Sequence, residues 1–172
     1  MRLVALNFAC LLAIAFITAC TTLVAAYDPV FDQSLNKMSE DTAKFLAAAG
    51  AGSQQRRFSS TESTEFYAVS YNVLDRLIER ARHTRGPIAC PVSEALTQPA
   101  AAASSETILP QDYTRFDCRE FQLYSIRLSL DQLRYFHRKD GTLNVSEVDS
   151  VGLALQKSII GSIKTFTVNK PG

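Results

Sequence analysis

Four stretches of this chain repeat the spacing of an amphipathic helix. In the first, Phe31, Leu35, Met38, Thr42, Phe45 and Ala49 recur at steps of three and four residues, which places them on one helical face. Asp28-Pro29 stands just ahead, an N-cap residue followed by a proline suited to the first turn. Gly50 and Gly52 suit its end. In the second stretch Phe66, Val69, Val73 and Leu77 form a stripe that Tyr67, Tyr71, Leu74 and Ile78 widen. Ser59 and Glu62 have capping-box spacing at its start, and Gly86-Pro87 stops it. The third carries two stripes. Leu123, Ile126, Leu130 and Leu133 make one; Phe121, Tyr124, Leu128 and Tyr135 make the other, nearly opposite. Such a helix is buried on two sides or offers one side to a partner. The fourth places Val148, Gly152, Leu155, Ile159, Ile163 and Phe166 on one face.

These patterns predict helices over about 29–49, 60–85, 113–139 and 144–166. No segment alternates as a strand would, and no internal repeat is visible. The economical arrangement is all-α, an up-and-down four-helix bundle over 29–168. Between the second and third helices, residues 87–112 are rich in proline, alanine and serine and read as a long loop. A loop of that length in a small domain calls for a functional reason or partial disorder. The second stripe of the third helix is expected to lie under this loop or under a partner.

Composition adds little to the pattern. A chain of 172 residues, 47 % hydrophobic and 20 % charged, suits one globular domain. The formal net charge of +1 gives no global electrostatic case for nucleic acid.

The N-terminus changes the picture more. Arg2 precedes an uncharged, mostly apolar stretch that runs to Asp28. Three readings compete. A membrane helix over 3–26 is long enough, but Asn7, Thr18, Thr21 and Thr22 weaken it. Ordinary signal-peptide cleavage could follow Ala26. The third reading takes Ile17-Thr18-Ala19-Cys20, which resembles the bacterial lipobox. That resemblance implies that residues 1–19 are a lipoprotein signal peptide, and that Cys20 carries diacylglycerol on its thiol and a palmitate-type chain on its new amine. Several acyl chains anchor where one does not. Cys10 lacks the branched residue three positions earlier and reads as part of the signal segment. Thr21, rather than aspartate, at the next position implies sorting to the outer membrane, facing the periplasm. Residues 20–28 would form a lipidated tether reaching at most ~25 Å, which keeps the folded part near the bilayer.

Beyond the lipobox, "CTTLVAAYDPVFDQSLNKMSEDTAKFL", "FYAVSYNVLDRLIERA", "LYSIRLSLDQLRYFHRKDG" and "VGLALQKSIIGSIKTF" resemble a group of small proteobacterial lipoproteins. The resemblance implies a helical lipoprotein of the cell envelope and brings no activity with it.

Candidate chemistry is sparse. His83 and His137 are the two histidines, and both read as solvent-exposed helix-end residues. His137 and Asp140 could share a face, but two ligands without a third make no catalytic metal site. No phosphate-binding glycine loop and no nucleophile elbow is present. Glu40-Asp41 and Glu147-Asp149 read as solvated surface. Arg76, Arg80, Arg82 and Arg85 read as a solvated, dipole-favoured helix end, with anionic headgroups as the alternative contact. Once Cys20 is acylated, Cys90 and Cys118 remain as an even pair in an oxidising compartment, which favours a disulfide over two buried thiols or a metal site.

The expectation is therefore a non-enzymatic lipoprotein with no catalytic residues, cofactor or metal. It would be held to the membrane through Cys20 and would bind or brace an envelope protein. The alternative is a periplasmic carrier that holds a small apolar ligand or lipid between its helices. A carrier needs a sizeable apolar cavity; a brace needs a filled core and an exposed apolar patch.

Overall fold

The computed structural model describes residues 27–50, 57–85 and 115–168. The signal segment, Cys20, Gly52, Gly86-Pro87, the 87–112 stretch and Cys90 lie outside the described residues.

Four helices account for most of the described chain, and no strand occurs among the described residues. Helix α1 is Pro29–Gly50, α2 is Thr61–His83 and α3 is Cys118–Asp140. Helix α4 starts as Val145–Glu147, carries a π-helical turn at Val148–Gly152, and continues as Leu153–Phe166.

Consecutive helices run antiparallel. The start of α1 meets the end of α2 through Asp28 and Arg80, and the end of α1 meets the start of α2 through Phe45 and Phe66. Tyr67 near the start of α2 reaches His137 near the end of α3. Gln122 and Thr165 bond across α3 and α4, as do Ser129 and Ser158. Phe31 and Phe166 close the ring between α1 and α4, their centroids 5.3 Å apart. The order is up-and-down, with α1 resting chiefly on α4 and α3 packing between α4 and α2. The α1–α2 corner is the least closely packed of the four.

The core follows the apolar faces. Phe31, Leu35, Met38, Thr42, Phe45 and Ala49 of α1 are all buried, as are Leu123, Ile126, Leu130 and Leu133 of α3. The opposite stripe of α3 divides. Tyr124 is buried under Phe116, ring against ring at 4.9 Å, while Phe121, Leu128 and Tyr135 are half-buried.

Each of the four helix starts shows its local cause. Asp28 accepts the Val30 N–H at 3.0 Å. The cap of α2 is Ser60, which accepts the Ser63 N–H at 3.1 Å, one residue beyond the expected Ser59. Helix α3 starts five residues later than the apolar pattern suggested. Asp117 accepts the Glu120 N–H at 2.9 Å, and this cap sets the boundary. Gly141, in the left-handed region at φ 73°, ends α3. Asn144 and Glu147 then form a reciprocal capping box that opens α4.

The π turn has no counterpart in the periodicity. It brings Gly152 against α1, where an added Cβ would lie 2.7 Å from a Leu46 methyl, so any larger residue must displace that side chain.

Candidate functional site

Among the described residues, three places gather unusual side chains.

The first is the loose corner. Between α1 and α2 lies an open groove of about 470 Å³. Met38 and Phe45 from α1 and Phe66, Val69 and Val73 from α2 form its apolar floor. Phe66 lies flat on Phe45, with centroids 3.9 Å apart and planes 4° from parallel. Val69 is 48 % exposed. Lys37, Asp41 and Lys44 edge the groove on the α1 side, and Glu62 and Glu65 on the α2 side. Lys37 donates to Asp41 at 2.5 Å, and this hydrogen bond raises the lysine above its ordinary value.

This corrects the reading of α2. The expected stripe of Phe66, Val69, Val73 and Leu77 is not its main core face. Tyr67, Leu74, Leu77, Ile78 and Ala81 carry the core, while Phe66 and Val73 are half-buried and Val69 is exposed. The clue in the sequence was the width of the apolar arc, broader than a helix packed against one close neighbour can bury.

The second place is the end of the bundle where α1 starts and α2 ends. Here Glu120 is fully buried. Arg85 grips it with two nitrogens, each 2.7 Å from a different carboxylate oxygen, and Arg82 Nε lies 3.6 Å away. Arg82 also donates to the Tyr124 hydroxyl at 2.6 Å, and Arg80 holds Asp28 at 2.6 Å. Burial by itself would raise the Asp28 carboxyl. Hydrogen bonds from Arg80 and the Val30 N–H, with the charges of Arg80 and Arg119, outweigh it and keep the group below the usual aspartate value. The arginines expected to be solvated are exposed, and Arg80, Arg82 and Arg85 also reach tertiary partners. Arg76, the fourth, bonds within its own helix, to the Asn72 carbonyl.

The third place is the opposite end. His137 is fully buried, contrary to the expected exposed helix-end histidine. Its Nδ1 lies 3.1 Å from the Tyr67 hydroxyl, and Phe45 and Phe58 pack around it. Burial first, then the neighbouring Tyr71, pushes the Tyr67 phenol well above its ordinary value, so it stays protonated. Sequence separation hid this pair, since its two members lie 70 positions apart. His83 is exposed as expected, beside Glu79 at 3.0 Å. Nearby, Tyr71 donates to the buried Asp131 at 2.5 Å.

None of these places joins a nucleophile to a base and an oxyanion pocket. Among the described residues, no group of three or more His, Cys, Asp or Glu side chains could hold a metal ion, and no helix is long and apolar enough to cross a membrane. No protein-family model matches this chain, and no curated protein or solved structure is significantly similar to it.

Proposed function

We propose that this chain is a lipid-anchored protein of the bacterial envelope that works by docking another protein in the α1–α2 groove, and that it carries out no reaction of its own. The observation that carries the reading is the half-exposed Val69 in an apolar floor with charged edges. An open groove with an apolar floor and a polar rim suits a protein interface. The lipobox at Cys20 supports the anchor, and Thr21 supports the outer membrane. The reading includes a Cys90–Cys118 bridge. It is supported by the even pair of cysteines that remains in an oxidising compartment once Cys20 is acylated.

A carrier is the second reading, favoured by the groove's volume of about 470 Å³, which falls within the range of small-molecule sites. Its openness to solvent along one side favours a protein occupant.

The test is photo-crosslinking in intact cells from position 69, with position 157 on α4 as the control, followed by intact-mass measurement. A protein should be captured from 69 and not from 157. The mature chain should carry diacylglycerol on Cys20 and two hydrogens fewer than its reduced form. Capture of nothing from 69, or an unlipidated chain starting at Tyr27, would refute the corresponding half of the reading.

A further inference from the structure

We propose that the occupant of the α1–α2 groove is a basic amphipathic helix about three turns long; this rests on the reading of the groove as a docking surface. The shape gives the first argument. The groove runs along α1 from Lys37 to Phe45 and along α2 from Glu62 to Val73. At 1.5 Å per residue the α2 wall is roughly 16 Å long, the length of three helical turns. Two antiparallel helices that diverge at the surface leave the concave seat that a further helix fills.

The backbone gives the second argument. Both walls are helices, which present no strand edge for an extended peptide to pair with. A helical occupant satisfies its own backbone and needs only an apolar row for Met38, Phe66, Val69 and Val73.

Charge gives the third. Glu62 and Glu65 stand one turn apart on the α2 edge, and neither forms an ion pair among the described residues. On the α1 edge Asp41 is occupied by Lys37, and Lys44 stands beyond it. The rim therefore has three acids against two lysines, with its excess on α2. A partner helix with Lys or Arg one turn apart along that edge is complementary. The same excess disfavours an anionic lipid surface, as does position: the groove opens in the half of the bundle away from Asp28, where the chain from Cys20 arrives.

The test uses the full, detergent-solubilised chain and two stapled, fluorescent helical peptides. Both carry leucines along one face; one has lysines along one edge, and its twin has glutamates there. Fluorescence anisotropy should show the lysine peptide binding at least about tenfold more tightly. The double variant Glu62→Gln/Glu65→Gln should lose that preference, and Glu62→Lys/Glu65→Lys should reverse it, both with unchanged circular dichroism. Equal binding of the two peptides, a preference unchanged in the double variants, or no binding of either would overturn the proposal. Capture of a protein from position 69 in cells, together with equal peptide binding, would leave the groove a docking surface and overturn the basic helix alone.

Discussion

At one end of the bundle Phe45, Phe58, Phe66, Tyr67 and His137 pack ring against ring; at the other, Arg80 and Arg82 of α2 and Arg85 just beyond it reach Asp28, Tyr124 and Glu120. Both ends join the same helices, but the physics differs. The aromatic end draws on area removed from water and on ring geometry, neither of which depends strongly on salt. The arginine end draws on charge-assisted hydrogen bonds of defined direction, which fix how α1 and α3 sit against α2. The aromatic end should therefore dominate stability, and the arginine end should dominate the response to salt and acid.

Phe45→Ala should produce the largest effect. Phe45 is buried and touches Phe66, Tyr67 and His137. Its loss should cost about 3–5 kcal/mol in urea unfolding, nearly independent of salt. A loss below about 1 kcal/mol would mean that the aromatic end is not the stronger closure.

Arg85→Ala comes next, at about 1–3 kcal/mol, because it leaves the buried Glu120 carboxylate with Arg82, 3.6 Å away, as its remaining ion-pair partner among the described residues. Removing the acid should cost less than removing the arginine, since a freed guanidinium can turn to water. If Glu120→Gln proves the more damaging, the clamp works in some other way.

Asp28→Asn should have the smallest effect at neutral pH and a distinct one in acid. The native carboxyl titrates below its unfolded value, so its stabilisation is present above the unfolded value, near 3.9, and is lost as pH falls through the native one. The wild-type chain should lose stability relative to the variant as pH falls below about 4. Parallel pH curves for the two would remove Asp28 from the arginine end's acid response.

The same contrast explains what the sequence made legible. Apolar periodicity located all four helices and the α3 core stripe, because it records which face is buried. It missed the pairing of Tyr67 with His137 and of Arg85 with Glu120, because partners far apart in sequence meet only once the helices are assembled. The Asp117–Glu120 cap, with its three-residue spacing, was readable at the start of α3, but the expected boundary stood at about Tyr113, directly after the 87–112 loop. The π turn left no trace, since one extra residue in one turn shifts the periodic signal too little. The groove was half legible: Phe66, Val69 and Val73 were noted as a stripe, but nothing local said that α1 would stand off from them.

The antiparallel order also sets a height. Tyr27, Val168 and the residues flanking 86–114 all lie at the arginine end, while Gly50 and Arg57, which flank 51–56, lie at the aromatic end. Were the proposed anchor on Cys20 in place, the arginine pole, where Tyr27 enters, would face the bilayer and the aromatic pole would point away. Helix α1 has 22 residues and stands about 33 Å tall. Met38 lies ten residues above Asp28, so the groove opens at roughly 15 Å and continues upward to roughly 25 Å. A partner helix would meet this protein clear of the headgroups, beside the upper half of an upright post.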